Sequence, residues 1–259
     1  MGDARASAPN CQRTVSWLLT FSDLVLTSRS ANRFMPFAIT FGFFLDRARF
    51  ITSFFNPTVS KPRPPLVLRN VIYLWGAQLS TDQQFKSKVS MLLNRVLRSI
   101  HVALSTAAAQ PQDTIYVLQA EILLAYFFFH NSRLAEGKFH SSAAISLATM
   151  CNLHKVAAPP RRGTTAGASD PLDVANFLPP PKDAMEEGER IHAWWTTFVL
   201  DKCWVVALGS PSVIVEEQDN STTRIDTPWP MSLEHYGQVS NAAFPDGLRF
   251  LILLVFSDP

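Results

Sequence analysis

The stretch 113–130, DTIYVLQAEILLAYFFFH, is helical in composition yet apolar on nearly every side. A helix of that kind has no face to give to water, so it belongs at the centre of a domain with other elements wrapped around it. The rest of the chain must supply that cover. Charged residues make up only 17% of the 259 and hydrophobic ones 47%, so much of the surface is expected to be buried inside or against a partner. At this length one large core, or two modest ones, needs no help from disulfides or metal.

The covering elements read as further helices. Residues 1–13 are polar, small and aperiodic and are expected to be disordered, so that a helical domain occupies 14–259. Within 15–55, Phe34, Phe37, Phe41, Phe44, Leu45 and Ala48 form an apolar stripe with Arg47 and Arg49 on its edge, which predicts one core helix. NPTVSKPRPP at 56–65 breaks the chain with four prolines. Leu68, Ile72, Trp75 and Leu79 then share one face of a helix over 66–79. Ser80 or Thr81 is placed to cap another running to about Ser105, with Phe85, Val89, Leu92, Leu93, Val96, Ile100 and Leu104 inward and Lys86, Lys88, Arg95 and Arg98 outward as a solvated basic face.

After the central helix a tight link leads into 133–153, where Gly137, Ala143, Ala144 and Ala148 permit close approach and Leu134, Ile145 and Leu147 add bulk. The two helices are predicted to form an antiparallel α-hairpin. Residues 157–181 are rich in Ala, Pro, Gly, Thr and Asp and read as a mobile loop. The chain closes on LRFLILLVF and stops at Pro259 in mid-pattern, as a piece truncated from something longer would.

The stretch 186–211, EEGERIHAWWTTFVLDKCWVVALGSP, predicts a helix of about six turns. Asp183, Glu186 and Glu187 suit its N-terminus, and Gly209 with Pro211 stops it. Ile191, Trp194, Trp195, Phe198, Val205 and Leu208 mark one broad apolar face, and Asp201 falls on it. A carboxylate there needs a cation or several donors, because an unpaired buried charge would destabilise the helix. Trp194, Trp195, Trp204, Trp229 and Trp75 read first as core packing, and otherwise as the lining of an apolar ligand pocket with Arg190, His192 and Asp201 as its polar groups.

Several function classes lose support. No strand alternation and no dinucleotide or Walker glycine pattern appears, so the class is all-α, a multi-helix domain of packed antiparallel helices with long loops. The apolar runs at 33–46 and 202–216 fall short of the ~20 residues a membrane span needs. A net charge of +2 is too small to draw the chain onto nucleic acid. Cys11, Cys151 and Cys203 lie far apart, as reduced thiols do, and Cys151 and Cys203 are expected to pack as small buried hydrophobes. Cys151 and His154, with His140 and Cys203, offer one half of a metal site without its second pair. Gly209–Ser210–Pro211–Ser212 lacks the strand and second glycine of a nucleophile elbow, and Glu186/Glu187 and Glu216/Glu217 are adjacent rather than facing. No catalytic residue and no cofactor is predicted, so the chain is read as not an enzyme.

Three blocks carry a family likeness: LVLRNVIYLWGAQLS at 66–80, TIYVLQAEILLAYFFFHNSRLAEGKFHSSAAISLATMCNLHK at 114–155, and EGERIHAWWTTFVLDKCWVVALGSPSVI at 187–214 with IDTPWP at 225–230. In order and spacing they resemble the middle regulatory domain of fungal zinc-cluster transcription factors. The likeness covers roughly residues 35–235. The family pattern maps to Glu189–Arg190, Trp194–Trp195, Asp201–Lys202 and Gly209–Ser210–Pro211. Lys202 stands where Arg is usual and Ser210 where Arg is frequent, which removes the guanidinium fork from those positions.

The resemblance implies a nuclear, helical regulatory domain of a transcription regulator. Its partners would be transcription machinery or regulatory proteins, a small-molecule effector, or a second copy in a homodimer, with no membrane involved. The family's zinc cluster, which reads DNA, needs six closely spaced cysteines absent from this chain, so contact with DNA would come only through that missing domain. The rival reading is a stand-alone helical small-molecule or lipid-binding protein, or an enzyme, using a tryptophan-lined pocket.

Overall fold

The computed structural model describes residues 28–59, 62–106, 110–156, 178–215 and 223–241. They are helical, with no strand among the described residues. After a helical stretch at 28–34, the helices in chain order are α1 (Arg47–Phe55), α2 (Leu66–Gln78), α3 (Gln83–Lys86), α4 (Val89–Thr106), α5 (Thr114–His130), α6 (Leu134–Met150), α7 (Ala184–Leu208) and α8 (Leu233–Asn241). No described helix is long and apolar enough to cross a membrane. The expectations for residues 1–13, for most of the 157–181 loop and for the closing apolar run lie outside the described residues.

The helix α5 is the axle. Only Tyr116, Tyr126 and His130 escape full burial along its length. It touches α2, α4, α6 and α7, so its all-round apolarity is matched by neighbours on all sides. Burying a Leu or Phe here is worth roughly 1.5–3 kcal/mol each, and α5 contributes Leu118, Ile122, Leu123, Leu124, Phe127 and Phe128 to one continuous core. The indole of Trp75 on α2 lies fully buried against it, stacks on Phe41 and donates to the Leu123 carbonyl at 3.0 Å.

The hairpin of α5 and α6 forms as expected. Ser132 takes φ 58° in the link, and the Arg133 amide returns to the Phe128 carbonyl at 2.9 Å. Gly137 then passes so close to α5 that a Cβ there would sit 2.5 Å from the Phe129 ring, which is why no larger residue fits. At α7, Asp183 caps the first turn by accepting from the Glu186 amide at 2.8 Å, and Gly209 ends the helix at φ 60°.

Three expectations are corrected. The single core helix through Phe34, Phe37, Phe41, Phe44, Leu45 and Ala48 is broken. Two short 3-10 turns, Met35–Phe37 and Ile39–Phe41, end at Gly42 with φ 72°, and α1 starts afresh with Asp46 as its cap. Phe34, Phe44 and Leu45 are buried while Phe37 and Ala48 are exposed. The cause is tertiary: the Gln119 side chain on α5 accepts from the Phe44 amide at 2.7 Å and donates to the Gly42 carbonyl at 3.0 Å, pairing the backbone groups that the break sets free. The helix foreseen from Ser80 or Thr81 is instead capped by Asp82, which accepts from the Gln84 amide at 3.0 Å, and is interrupted between α3 and α4. Cys151 is buried, but Cys203 faces outward.

The helix α8 had no counterpart in the periodicity. It docks where Gly188 of α7 leaves room for the Tyr236 ring, 2.5 Å from where a Cβ would stand.

Candidate functional site

The residues singled out on α7 divide between two ends and a middle. In the middle, Trp195 stacks on Trp229 with ring centroids 4.0 Å apart and donates from its indole to the Pro228 carbonyl at 2.6 Å. One turn earlier, the His192 ring pairs with the Met231 carbonyl at 2.6 Å, and burial pushes its pKa down against the hydrogen bond that raises it. Trp194 points the other way, into the core beside the His154 ring.

These contacts hold the segment 225–230, IDTPWP, against the turn that follows α6. The His154 carbonyl accepts from the Asp226 and Thr227 amides at 2.8 and 3.1 Å. The Thr227 hydroxyl donates to the Leu153 carbonyl at 2.5 Å and accepts from the Val156 amide at 3.1 Å, and Lys155 pairs with Asp226 at 2.9 Å. Two of the blocks that carried the family likeness therefore meet here with its third segment. Sequence order alone could not show that they are neighbours.

At the C-terminal end of α7, Asp201 is fully buried. Its carboxylate accepts from the Ser212 hydroxyl at 2.5 Å and from the Ile214 and Val213 amides at 3.2 and 3.3 Å, with Lys138 of α6 3.6 Å away. Lys202 completes the group by donating to Ser212 and to the Ile214 carbonyl, both at 2.8 Å. Burial pushes Asp201 up, but the Ser212 and backbone hydrogen bonds together with Lys138 outweigh it and hold the carboxyl below its usual range. This is a carboxylate used as a fastener for the chain after Gly209. With Lys202 donating singly to two oxygens, no guanidinium fork is needed.

At the N-terminal end, Arg190 pairs with Glu186 one turn back at 2.7 Å rather than with its neighbour Glu189. Glu189 accepts from the Asp46 amide at 2.8 Å instead. Its pKa is pushed up to about 7, chiefly by burial and by the Asp46 and Glu186 charges, against the Asp46 amide and Arg49. Arg49 bridges to Asp183 through both carboxylate oxygens at 3.0 Å, so the starts of α1 and α7 are tied together.

His192 and Trp195 thus share the loop at 228–231, while Arg190, Trp194 and Asp201 stand in separate environments along α7. Trp75 lies in the core, Trp204 stacks on Phe129, and none of these residues lines the cavity described next. A buried carboxylate–imidazole pair, Glu121 with His140 at 2.6 Å, joins α5 to α6 and was not foreseen. The signal was present: an acid inside an all-apolar helix must find a partner on the next one. Among the described residues no group of three or more His, Cys, Asp or Glu is placed to hold a metal ion, and burial pushes the Cys151 thiol up to about 12.

The cavity, of about 400 Å³, lies between the start of α2, the C-terminal half of α4 and the start of α5. Its apolar walls include Leu66, Val67, Val102 and Val117, and Arg95 and Arg98 belong to its lining. Asn70 and Thr114 line it too; both are fully buried, and the Asn70 amide atoms and the Thr114 hydroxyl have no hydrogen-bond partner among the described residues. Sequence reasoning assigned Arg95 and Arg98 to a solvated face and passed over Asn70, although an amide inside LVLRNVIYLW was the available sign.

A family model described as fungal specific transcription factor domain matches residues 36–253. No curated protein and no solved structure matches the chain.

Proposed function

The chain belongs to the fungal-specific transcription factor domain family, and from that premise we propose that it is the regulatory module of a nuclear transcription regulator. The observation that carries this reading is the family match, which spans 36–253 and so includes the α5–α6 hairpin, the whole of α7 and the 225–230 segment clamped onto it. The α7 side chains fit such a role. Asp201, Lys202 and Ser212 hold a turn, and Trp195 and His192 hold a loop.

On this reading the module changes the output of a DNA-bound regulator and does not itself choose the DNA site. The family's zinc cluster uses six cysteines and this sequence has three, which supports a module that modulates transcription over one that reads DNA. The test is a fusion of the full chain to an unrelated DNA-binding domain in a fungal reporter strain. Reporter transcription should depart several-fold from that of the DNA-binding domain alone, and identical output would overturn the reading. Tight, sequence-selective DNA binding by the chain alone in a gel shift would overturn the second part.

A further inference from the structure

The cavity between α2, α4 and α5 combines features that a merely imperfect core does not share. Protein interiors pair their buried polar groups, because each one left unpaired costs the fold its desolvation. Here two fully buried polar side chains on different helices, Asn70 and Thr114, have no hydrogen-bond partner among the described residues and line the same space. The space is large enough for a small organic molecule, its walls are mainly apolar, and it opens to the surface.

Its charge is arranged rather than scattered. Arg95 and Arg98, three residues apart on α4, lie on one side of that helix and make no ion pair among the described residues. The first turn of α2 lines the cavity through Leu66 and Val67, and no side chain caps it, so its free amides add a second attraction for negative charge. Asp113, at the start of α5, is the opposing carboxyl in the lining and would repel a second anionic group. The complement is a molecule with one anionic head, an apolar body and one hydrogen-bonding group further in.

We infer that this cavity binds a small amphipathic organic monoanion, with its acidic head at Arg95 and Arg98, its body against Val67, Val102 and Val117, and a carbonyl, amide or hydroxyl at Asn70 and Thr114. An effector role for that ligand rests on the regulatory reading above. The cavity is lined by α2, α4 and α5, and α5 packs against α6 and α7, so occupancy reaches the body of the domain.

The test uses the full 259-residue chain and two probes, anilinonaphthalene sulfonate by fluorescence and octanoate as its competitor. One saturable site should appear, displaced by octanoate and weakened at high salt. The double variant Arg95→Gln with Arg98→Gln should lose at least about tenfold in probe affinity, since charge-assisted hydrogen bonds to the head are removed. Those side chains are half-buried and exposed, so the fold should survive, as thermal melts would verify. Ala103→Phe, which fills the space, should abolish binding. Absence of a saturable site, or affinity unchanged by both variants, overturns the inference. The probe assay reads the cavity alone, and the reporter fusion reads regulation alone. Probe binding with a silent reporter would sink the regulatory role and leave the site, whereas an active reporter with no probe binding would do the reverse.

Discussion

The clamp of residues 153–156 and 225–230 over α7 and the cavity between α2, α4 and α5 are both made where loops meet helix ends, yet they treat polar groups in opposite ways. In the clamp, Thr227 both donates to Leu153 and accepts from Val156, Trp195 donates to Pro228, and Asp201 nearby gathers three donors and a lysine. In the cavity, Asn70 and Thr114 are just as deeply buried and make no such bonds among the described residues. A closed polar network contributes to one arrangement of the chain. An open one holds binding capacity in reserve at a cost to stability.

That contrast can be broken most decisively at Asp201. Asp201→Ala leaves the Val213 and Ile214 amides without their acceptor and Lys138 without its counter-charge, and unfolding by urea should show a loss of about 3 kcal/mol. A loss near zero would mean that the network fastens nothing. The sign with pH follows from a folded pKa below 3.8: the contribution is complete above that value and fades as pH falls through the depressed one, so wild type and variant should converge in acid.

At the other end of α7, Glu189 titrates in the opposite sense. Its folded pKa of about 7 exceeds the ordinary 4.5, so the native state binds the extra proton and stability falls as pH rises between those values. Glu189→Gln keeps an acceptor for the Asp46 amide and removes the charge. It should flatten that slope and stabilise the protein at pH 8 by about 2 kcal/mol, measured as ΔG from urea melts. A slope that persists in the variant would assign it to another group.

Within the clamp, Thr227→Val removes the hydroxyl and leaves the Leu153 carbonyl and Val156 amide unpaired, for an expected loss of about 1.5 kcal/mol in the same melts. In the cavity the matching change should reverse sign. Asn70→Leu replaces an unpaired amide by an apolar group of similar size on α2 and should raise stability by about 1 kcal/mol. If both variants destabilise alike, the distinction between the two regions collapses.

Where local rules suffice, the chain was legible. The α5–α6 hairpin follows from an all-round apolar helix, a short link and small residues at Gly137, Ala144 and Ala148, and α7 is bounded by Asp183 and Gly209 as its acidic start and glycine stop foretell. The misreadings share a cause. Phe34 to Ala48 keeps a helical stripe, but Gln119, far along the chain on α5, supplies bonds that make the break at Gly42 the better state. The helix α8 has only a weak pattern of its own and is stabilised by the gap at Gly188 that receives Tyr236. For the candidate sites, the need of Asp201 for donors was readable from its place on an apolar face, while the identity of those donors, across a turn that reverses the chain, was not.

From the sequence alone came the helical class, the central position of α5 and the blocks that tie the chain to its family, because helical periodicity, caps and breakers act over a few residues. Only the tertiary structure decided which segments touch: 225–230 against 153–156, Glu121 against His140, and Arg95 and Arg98 beside Asn70 and Thr114. Burial is a demand that a residue type announces. Whether a buried polar group is then satisfied depends on partners dozens of residues away, and that is settled when the helices pack.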